Sequence, residues 1–205
     1  MTDPACPSSL WLTIGRYFFQ YRDLLPVPLV LYMFRVARPR RWTWILGIPL
    51  VLLGEALRVW GLCHIGPTTR AREICADRLV TSGPYQWVRH PLYLANLLKV
   101  LGLLVIAGNS PFALIGMLFY ATEFSAMIPY EESFLEAKFP EQFKAWALQV
   151  PALFPVQIPT LSSDSAPFSL MNALYSERRT FVSTGILLAG LAFISLKGSK
   201  QDDAL

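Results

Sequence analysis

Arg89 and His90 stand side by side, with Tyr85 and Trp87 just before them and Tyr93 just after, in the stretch TSGPYQWVRHPLYLAN at residues 81–96. A guanidinium can orient an anionic group, and an imidazole can hold or move a proton near neutrality. Aromatic rings beside them can stack on a base or face a cation. Further along the chain come two adjacent carboxylates, Glu131 and Glu132. Acid pairs can serve glycoside hydrolysis or metal binding, but adjacent helical residues diverge by about 100°. These two are therefore not expected to share one substrate atom. No Ser-His-Asp arrangement, phosphate-cradling glycine loop or metal-ligand spacing accompanies them. The set suits a reaction that needs positioning and charge balance rather than a protein nucleophile.

Those side chains need elements to hold them. Gly83-Pro84 is a turn signal, and Pro91 suits the first turn of the helix that follows. The apolar runs 91–107 and 112–128 are separated only by Gly108-Asn109-Ser110-Pro111. So short a turn makes the two helices antiparallel neighbours. Their far ends, at Arg89-His90 and at Glu131-Glu132, then lie on the same face of the molecule. Glu123, two turns before Glu131, is expected at the floor of the cavity between them, with Lys99 further down the neighbouring helix.

Composition says what surrounds this cavity. Apolar residues make up 54% of the 205 and charged residues only 16%, against about 25% charged in soluble proteins. The expectation is an all-α, polytopic membrane protein with about five transmembrane helices, at 17–36, 42–65, 91–107, 112–128 and 180–196. Arg22, Asp23, Pro26 and Pro28 interrupt the first. A net charge of +4 fits Lys and Arg in loops rather than a nucleic-acid surface. Most basic residues fall on the side of the 66–82 connector, which places that face in the cytoplasm; Arg35, Arg38, Arg40 and Arg41 fall on the other side. Cys6, Cys63 and Cys75 show no paired spacing, and with two histidines a metal site is not expected. Residues 1–16 lack the apolar centre of a signal peptide.

Glu55 and Arg58 are three apart, so they share a helix face at membrane depth. Either an ion pair that orients the helix or the wall of a polar pocket would account for them. In the connector, residues 72–75 and 78–81 could pair as a short hairpin. Residues 130–149 read as amphipathic, with Phe134, Leu135, Phe139, Phe143 and Trp146 at helical spacing and Pro140 dividing them. This segment is expected to lie on the membrane face or to fold over the connector.

Three motifs in this order, Gly83-Pro84-Tyr85-x-x-x-Arg89-His90-Pro91-x-Tyr93, Glu131-Glu132-x-x-Leu135-x-x-x-Phe139 and Val150-Pro151, resemble the isoprenylcysteine carboxyl methyltransferase and phospholipid methyltransferase superfamily. The resemblance covers about residues 60–155. It implies an integral membrane enzyme that uses S-adenosylmethionine, held in a pocket at the cytoplasmic face, and a lipophilic acceptor entering from the bilayer. By matching position, Tyr85, His90, Pro91, Tyr93 and Glu131 would hold the cofactor. Arg89 and Glu132 would lie nearest the transferring methyl, orienting the acceptor and balancing charge. Phe143, Trp146, Pro140 and Ala152 depart from the pattern, in a region the resemblance turns toward the acceptor. The domain expectation is a methyltransferase unit at 1–155, a linker at 156–179, and a C-terminal spanning helix and tail at 180–205. A non-catalytic membrane carrier or scaffold is the alternative, with Glu55, Arg58, Lys99 and Glu123 marking a permeation path.

Overall fold

Helices α3 (Arg41–Ile65) and α4 (Pro91–Ala107) pack more extensively than any other pair. Small residues let them do so. A Cβ on Gly47 would lie 2.6 Å from the Gly102 carbonyl oxygen, and one on Gly102 would lie 2.6 Å from that of Gly47. Lipid chains are as apolar as leucine, so close backbone approach of this kind is what favours helix association in a bilayer. Thr43 pins the start of α3 to the end of α4. Its buried hydroxyl is placed to donate to the carbonyls of Arg40 at 2.8 Å and Ile106 at 3.2 Å.

The computed structural model describes residues 10–66, 77–156 and 168–202, and among these it is all-α. The chain begins with α1 (Leu10–Tyr21) and α2 (Val27–Val36), separated by a turn at 22–26. The expected first span is thus two short helices, because Arg22, Asp23 and Pro26 fall where it would continue. A 3-10 turn, Gly83–Gln86, leads to α4, and Gly108 in the left-handed conformation ends that helix. Helix α5 (Ser110–Lys138) starts at once, with the Asn109 side chain accepting from the Phe112 amide at 3.0 Å. The tight turn and the antiparallel pair are as the sequence predicts.

Helix α5 does not stop at residue 128. It runs through Pro129 to Lys138, so Glu131 and Glu132 ride on its last turns rather than on a separate surface helix. Pro140 does divide the segment, opening the short helix α6 (Pro140–Ala147). Helix α7 (Leu170–Asp202) begins ten residues before the expected run, so 170–179, assigned to the linker, are helical. Residues 78–81 form no strand, and 72–75 lie outside the described residues. Among the described residues three helices, α3, α5 and α7 through Gly198, are long and apolar enough to cross a membrane, while α2 and α4 are shorter apolar helices. The chain is an integral membrane protein with an all-α architecture. Its core joins Met33, Val51, Leu104, Ile106, Phe112 and Leu191, which come from α2, α3, α4, α5 and α7.

Candidate functional site at the start of helix α4

The 3-10 turn brings the Arg-His pair to the mouth of the α4–α5 hairpin. Gly83 has a φ of +62°, a conformation open to glycine, and any Cβ there would collide with the His64 ring. His64 itself is held by Ser82, Nδ1 to Oγ at 2.9 Å. The backbone amides of Arg89 and His90 donate to the carbonyls of Pro151 and Ala152, at 2.8 and 3.0 Å. These bonds fasten the loop before α4 to the Val150-Pro151 segment.

Glu132 is the hub. Its Oε1 accepts from Arg89 Nε at 2.8 Å and lies 3.0 Å from His90 Nε2. On the other side of the same imidazole, Nδ1 is 3.6 Å from Glu131 Oε2. The adjacent glutamates therefore do diverge, and they do so around one histidine. Burial alone would lower the His90 pKa, but the bonds and charges of Glu131 and then Glu132 outweigh it and push it up to about 9. The buried ring is thus an imidazolium at neutral pH, hydrogen-bonded to Glu132 through Nε2 and ion-paired with Glu131 across Nδ1. With Arg89 it makes two cations against two carboxylates, a balanced set.

Arg89 is more committed than the sequence suggests. Besides Glu132, its Nη1 donates to the carbonyls of Ala147 at 3.1 Å and Val150 at 2.6 Å. Of its three nitrogens, only Nη2 makes none of these bonds. Tyr85 is buried, and its phenol is raised above the ordinary range by burial first and Glu131 second, with Arg58 opposing. It is therefore a neutral donor, yet its hydroxyl has no hydrogen-bond partner among the described residues, nor has the indole nitrogen of Trp87. Buried donors of this kind need a water or a ligand. Pro91 is buried at the first position of α4 and sets where that helix starts.

Helix α6 folds over this turn. Phe143 and Trp146 cluster with Tyr85 and Val150, and the Trp146 indole donates to the Tyr85 carbonyl at 3.1 Å. The expectation that Phe143 and Trp146 face an acceptor is thus corrected: they bury themselves against the turn. The role of Trp146 escaped the sequence reading, although Val150-Pro151 was a signal that this segment returns to the site.

Lys99 is not brought to the site. It reaches Glu55 Oε1 at 3.6 Å, on the opposite side of α4, in a second polar cluster within the helices. There Arg58 Nε pairs with Glu177 Oε2 at 2.7 Å and Arg58 Nη1 donates to Asn96 Oδ1 at 3.0 Å. Thr184 completes it, donating to Glu55 Oε1 at 2.7 Å. Glu55 and Arg58 are not partners of one another; each is tied to α7. Glu123 is buried with Oε1 unpartnered among the described residues, and Arg22 and Asp23 of the α1–α2 turn are the charges acting on it. Among the described residues, no three His, Cys, Asp or Glu side chains are grouped to hold a metal.

Residues 46–137, from the middle of α3 to the end of α5 and so including both halves of the site, match the isoprenylcysteine carboxyl methyltransferase family. The similarity to that family covers this stretch. The cobalt-zinc-cadmium resistance protein CzcN of Cupriavidus metallidurans is 37% identical over 123 residues, covering 56% of this chain and 54% of that protein. The nickel-cobalt-cadmium resistance protein NccN of Alcaligenes xylosoxydans xylosoxydans is 34% identical over 111 residues, 50% of this chain and 52% of that one. Protein-S-isoprenylcysteine O-methyltransferase B of Arabidopsis thaliana is 31% identical over 118 residues, 56% of this chain and 60% of the plant protein. The chain thus spans little more than half the length of the curated relatives it matches.

Proposed function

We propose that the protein is a membrane methyltransferase that takes a methyl group from S-adenosylmethionine and gives it to a lipophilic acceptor, at a site on the cytoplasmic face. The observation that carries this reading is the Glu132 hub. One carboxylate oxygen fixes both the guanidinium of Arg89 and the imidazolium of His90 at the mouth of a helical hairpin. Methyl transfer from a sulfonium is an in-line displacement, so the protein's task is to align the partners and exclude water.

The residues present fit the cofactor. Two buried donors without partners, the Tyr85 hydroxyl and the Trp87 indole, stand on the turn beside a pair of carboxylates. When bound, S-adenosylmethionine supplies an electrophilic methyl on a cationic sulfur. Tyr85, His90, Tyr93 and Glu131 would hold it, with Pro91 fixing the backbone that presents them. The ring of Tyr93 already packs edge-on against His90, centroids 5.4 Å apart. The charge on Glu131 suits an ammonium or ribose hydroxyls. Arg89, with Nη2 uncommitted, would orient an acceptor, and Glu132 would keep Arg89 and His90 in register.

A carrier would need Glu55, Arg58 and Lys99 to line a path. Their ties to Asn96, Glu177 and Thr184 support a role in joining helices instead. The proposal is tested by the thermal unfolding of detergent-purified protein with S-adenosylmethionine and its demethylated product. Stabilisation by both is expected; no response to either would overturn it. Incubation with labelled cofactor and total membrane lipid then identifies the acceptor.

A further inference from the structure

Four arginines fall within seven residues at the corner between α2 and α3: Arg35, Arg38, Arg40 and Arg41, all of them exposed. They stand at the other end of α4 from the Arg89–Glu132 site, because the Arg38 amide donates at 2.7 Å to the carbonyl of Ala107, the last residue of that helix. The corner is tied to the α4–α5 turn at further points. The Asn109 side chain donates to the Val36 carbonyl at 3.0 Å, and a side chain on Gly108 would collide with the Arg38 carbonyl. The Arg40 amide donates to the Thr43 hydroxyl at 3.0 Å. With the backbone fixed, four like charges leave it close together.

Among the described residues none of the four forms an ion pair. Along the two helices the nearest carboxylates are Asp23, before α2 begins, and Glu55, fourteen residues past Arg41. Fourteen residues of helix rise about 21 Å, well beyond the roughly 8–10 Å over which salt lets charges act. After Leu196, Lys197 and Lys200 are matched in number by Asp202 and Asp203, so that segment adds no net charge. The positive charge of the corner calls for an anion from elsewhere.

The surface below the arginines says which kind. Ile45 lies one turn past Arg41 and Leu46 one turn past Trp42, while Leu31 lies one turn before Arg35. Leu31 and Ile45 are each 66% exposed, Leu46 56% and Trp42 55%. An exposed tryptophan between aliphatic side chains and cations marks a bilayer interface. Guanidiniums therefore stand at headgroup level and aliphatic side chains at acyl-chain level, in a register that two helices set. A soluble anion would use only the cations, and an acidic protein would leave the aliphatic strip untouched.

We propose that the α2–α3 corner binds an anionic phospholipid, its phosphate among Arg35, Arg38, Arg40 and Arg41 and its chains along Leu31, Ile45 and Leu46. The planar fork of arginine matches phosphate oxygens. A headgroup with net negative charge, unlike a zwitterionic one, offsets what the chain leaves unbalanced. This goes beyond methyl transfer and does not depend on it.

The test uses the full chain in a neutral detergent with phosphatidylglycerol, phosphatidylcholine of the same acyl chains, or glycerol phosphate. Native mass spectrometry counts retained lipid, and thermal unfolding is followed in parallel. Saturable retention of phosphatidylglycerol is expected, at least tenfold tighter than phosphatidylcholine, with a raised unfolding midpoint that glycerol phosphate does not reproduce. Arg38→Gln/Arg40→Gln/Arg41→Gln should bring phosphatidylglycerol down to the level of phosphatidylcholine. Lys138→Gln/Lys144→Gln/Arg179→Gln removes as many exposed cations elsewhere and should keep the preference. Unfolding without lipid checks that both variants fold, and Arg40→Gln/Arg41→Gln serves if the triple variant at the corner does not. Equal retention of the two lipids, a preference that survives the corner variant, or one lost equally in the control would overturn the proposal. So would equal stabilisation by glycerol phosphate, which would mean a plain anion site. The thermal response to S-adenosylmethionine is read separately, so failure of either reading leaves the other standing.

Discussion

Two charge-balanced clusters flank helix α4, and they are built for opposite purposes. At its start, Arg89 and His90 of the loop before α4 meet Glu131 and Glu132 of α5, the helix joined to α4 by a short turn. In its middle, Asn96 and Lys99 meet Glu55 and Arg58 of α3 and Glu177 and Thr184 of α7. The carboxylates of the first remain partly open, Glu131 at 24% and Glu132 at 22% side-chain exposure, while Glu177 in the second is at 0%. Partial exposure of the Glu131 and Glu132 carboxylates leaves room for a ligand to exchange partners, whereas the enclosed Glu177 is tied to Arg58 across α3 and α7. The same residue types therefore read as chemistry in one place and as a helix fastener in the other.

The comparison breaks most clearly at Glu177. Glu177→Ala leaves the Arg58 guanidinium with one neutral partner inside the helices, a loss of about 3–5 kcal/mol for a broken buried pair. Thermal unfolding in detergent should show a large drop, while turnover per folded molecule stays near wild type. The double variant Arg58→Met/Glu177→Leu should recover much of the stability, since it leaves neither charge alone. Loss of turnover in a double variant that folds would mean that the second cluster takes part in the chemistry.

Glu132→Gln should do the reverse. The amide keeps the shape but weakens the hold on Arg89 and His90, and misplacement of catalytic groups costs on the order of 100-fold in rate. Folding should survive, because the Arg89 bonds to Ala147 and Val150 remain. Wild-type turnover in Glu132→Gln would remove Glu132 from the proposed roles.

A smaller effect follows from His90. Its folded pKa, about 9, lies above the ordinary value of about 6.5. A raised pKa means that the stabilisation is fully present below pH 6.5 and is lost as pH rises through 9. The unfolding midpoint should therefore fall between pH 6.5 and 9.5, and His90→Gln should flatten that part of the profile. An unchanged slope in the variant would show that His90 is not held as an imidazolium.

What could be read from the sequence follows the range of the interactions involved. The turn at Gly108-Pro111 is local, so the meeting of Arg89-His90 with Glu131-Glu132 was legible, as were the Pro140 break and the bounds of α3 and α4. Pro129 was a false stop: a helix with neighbours can carry a proline, and α5 continues past it. The partners of Glu55, Arg58 and Lys99 were not legible because two of them lie on α7, over a hundred residues away from α3. The sequence showed charges that needed company without showing whose. Trp146 failed for a related reason, since amphipathic spacing marks a buried face but not which carbonyl an indole will meet.

Trp146 also gives the finest test of where the first cluster ends. Its indole donates to the Tyr85 carbonyl at 3.1 Å from within a cluster that includes Tyr85 itself. Trp146→Phe keeps an aromatic ring and deletes only that donor, leaving a buried carbonyl unpaired at a cost of about 1–3 kcal/mol. If α6 merely covers the site, stability falls and kinetic constants do not move. If α6 sets the attitude of Tyr85, the KM for S-adenosylmethionine should rise several-fold while kcat stays constant, because the altered contact is to bound cofactor in ground and transition states alike. The second result is expected, since Tyr85 presents an unpartnered hydroxyl on the same residue whose backbone Trp146 grips. An unchanged KM in a measurably destabilised variant would confine the site to the loop, α4 and α5.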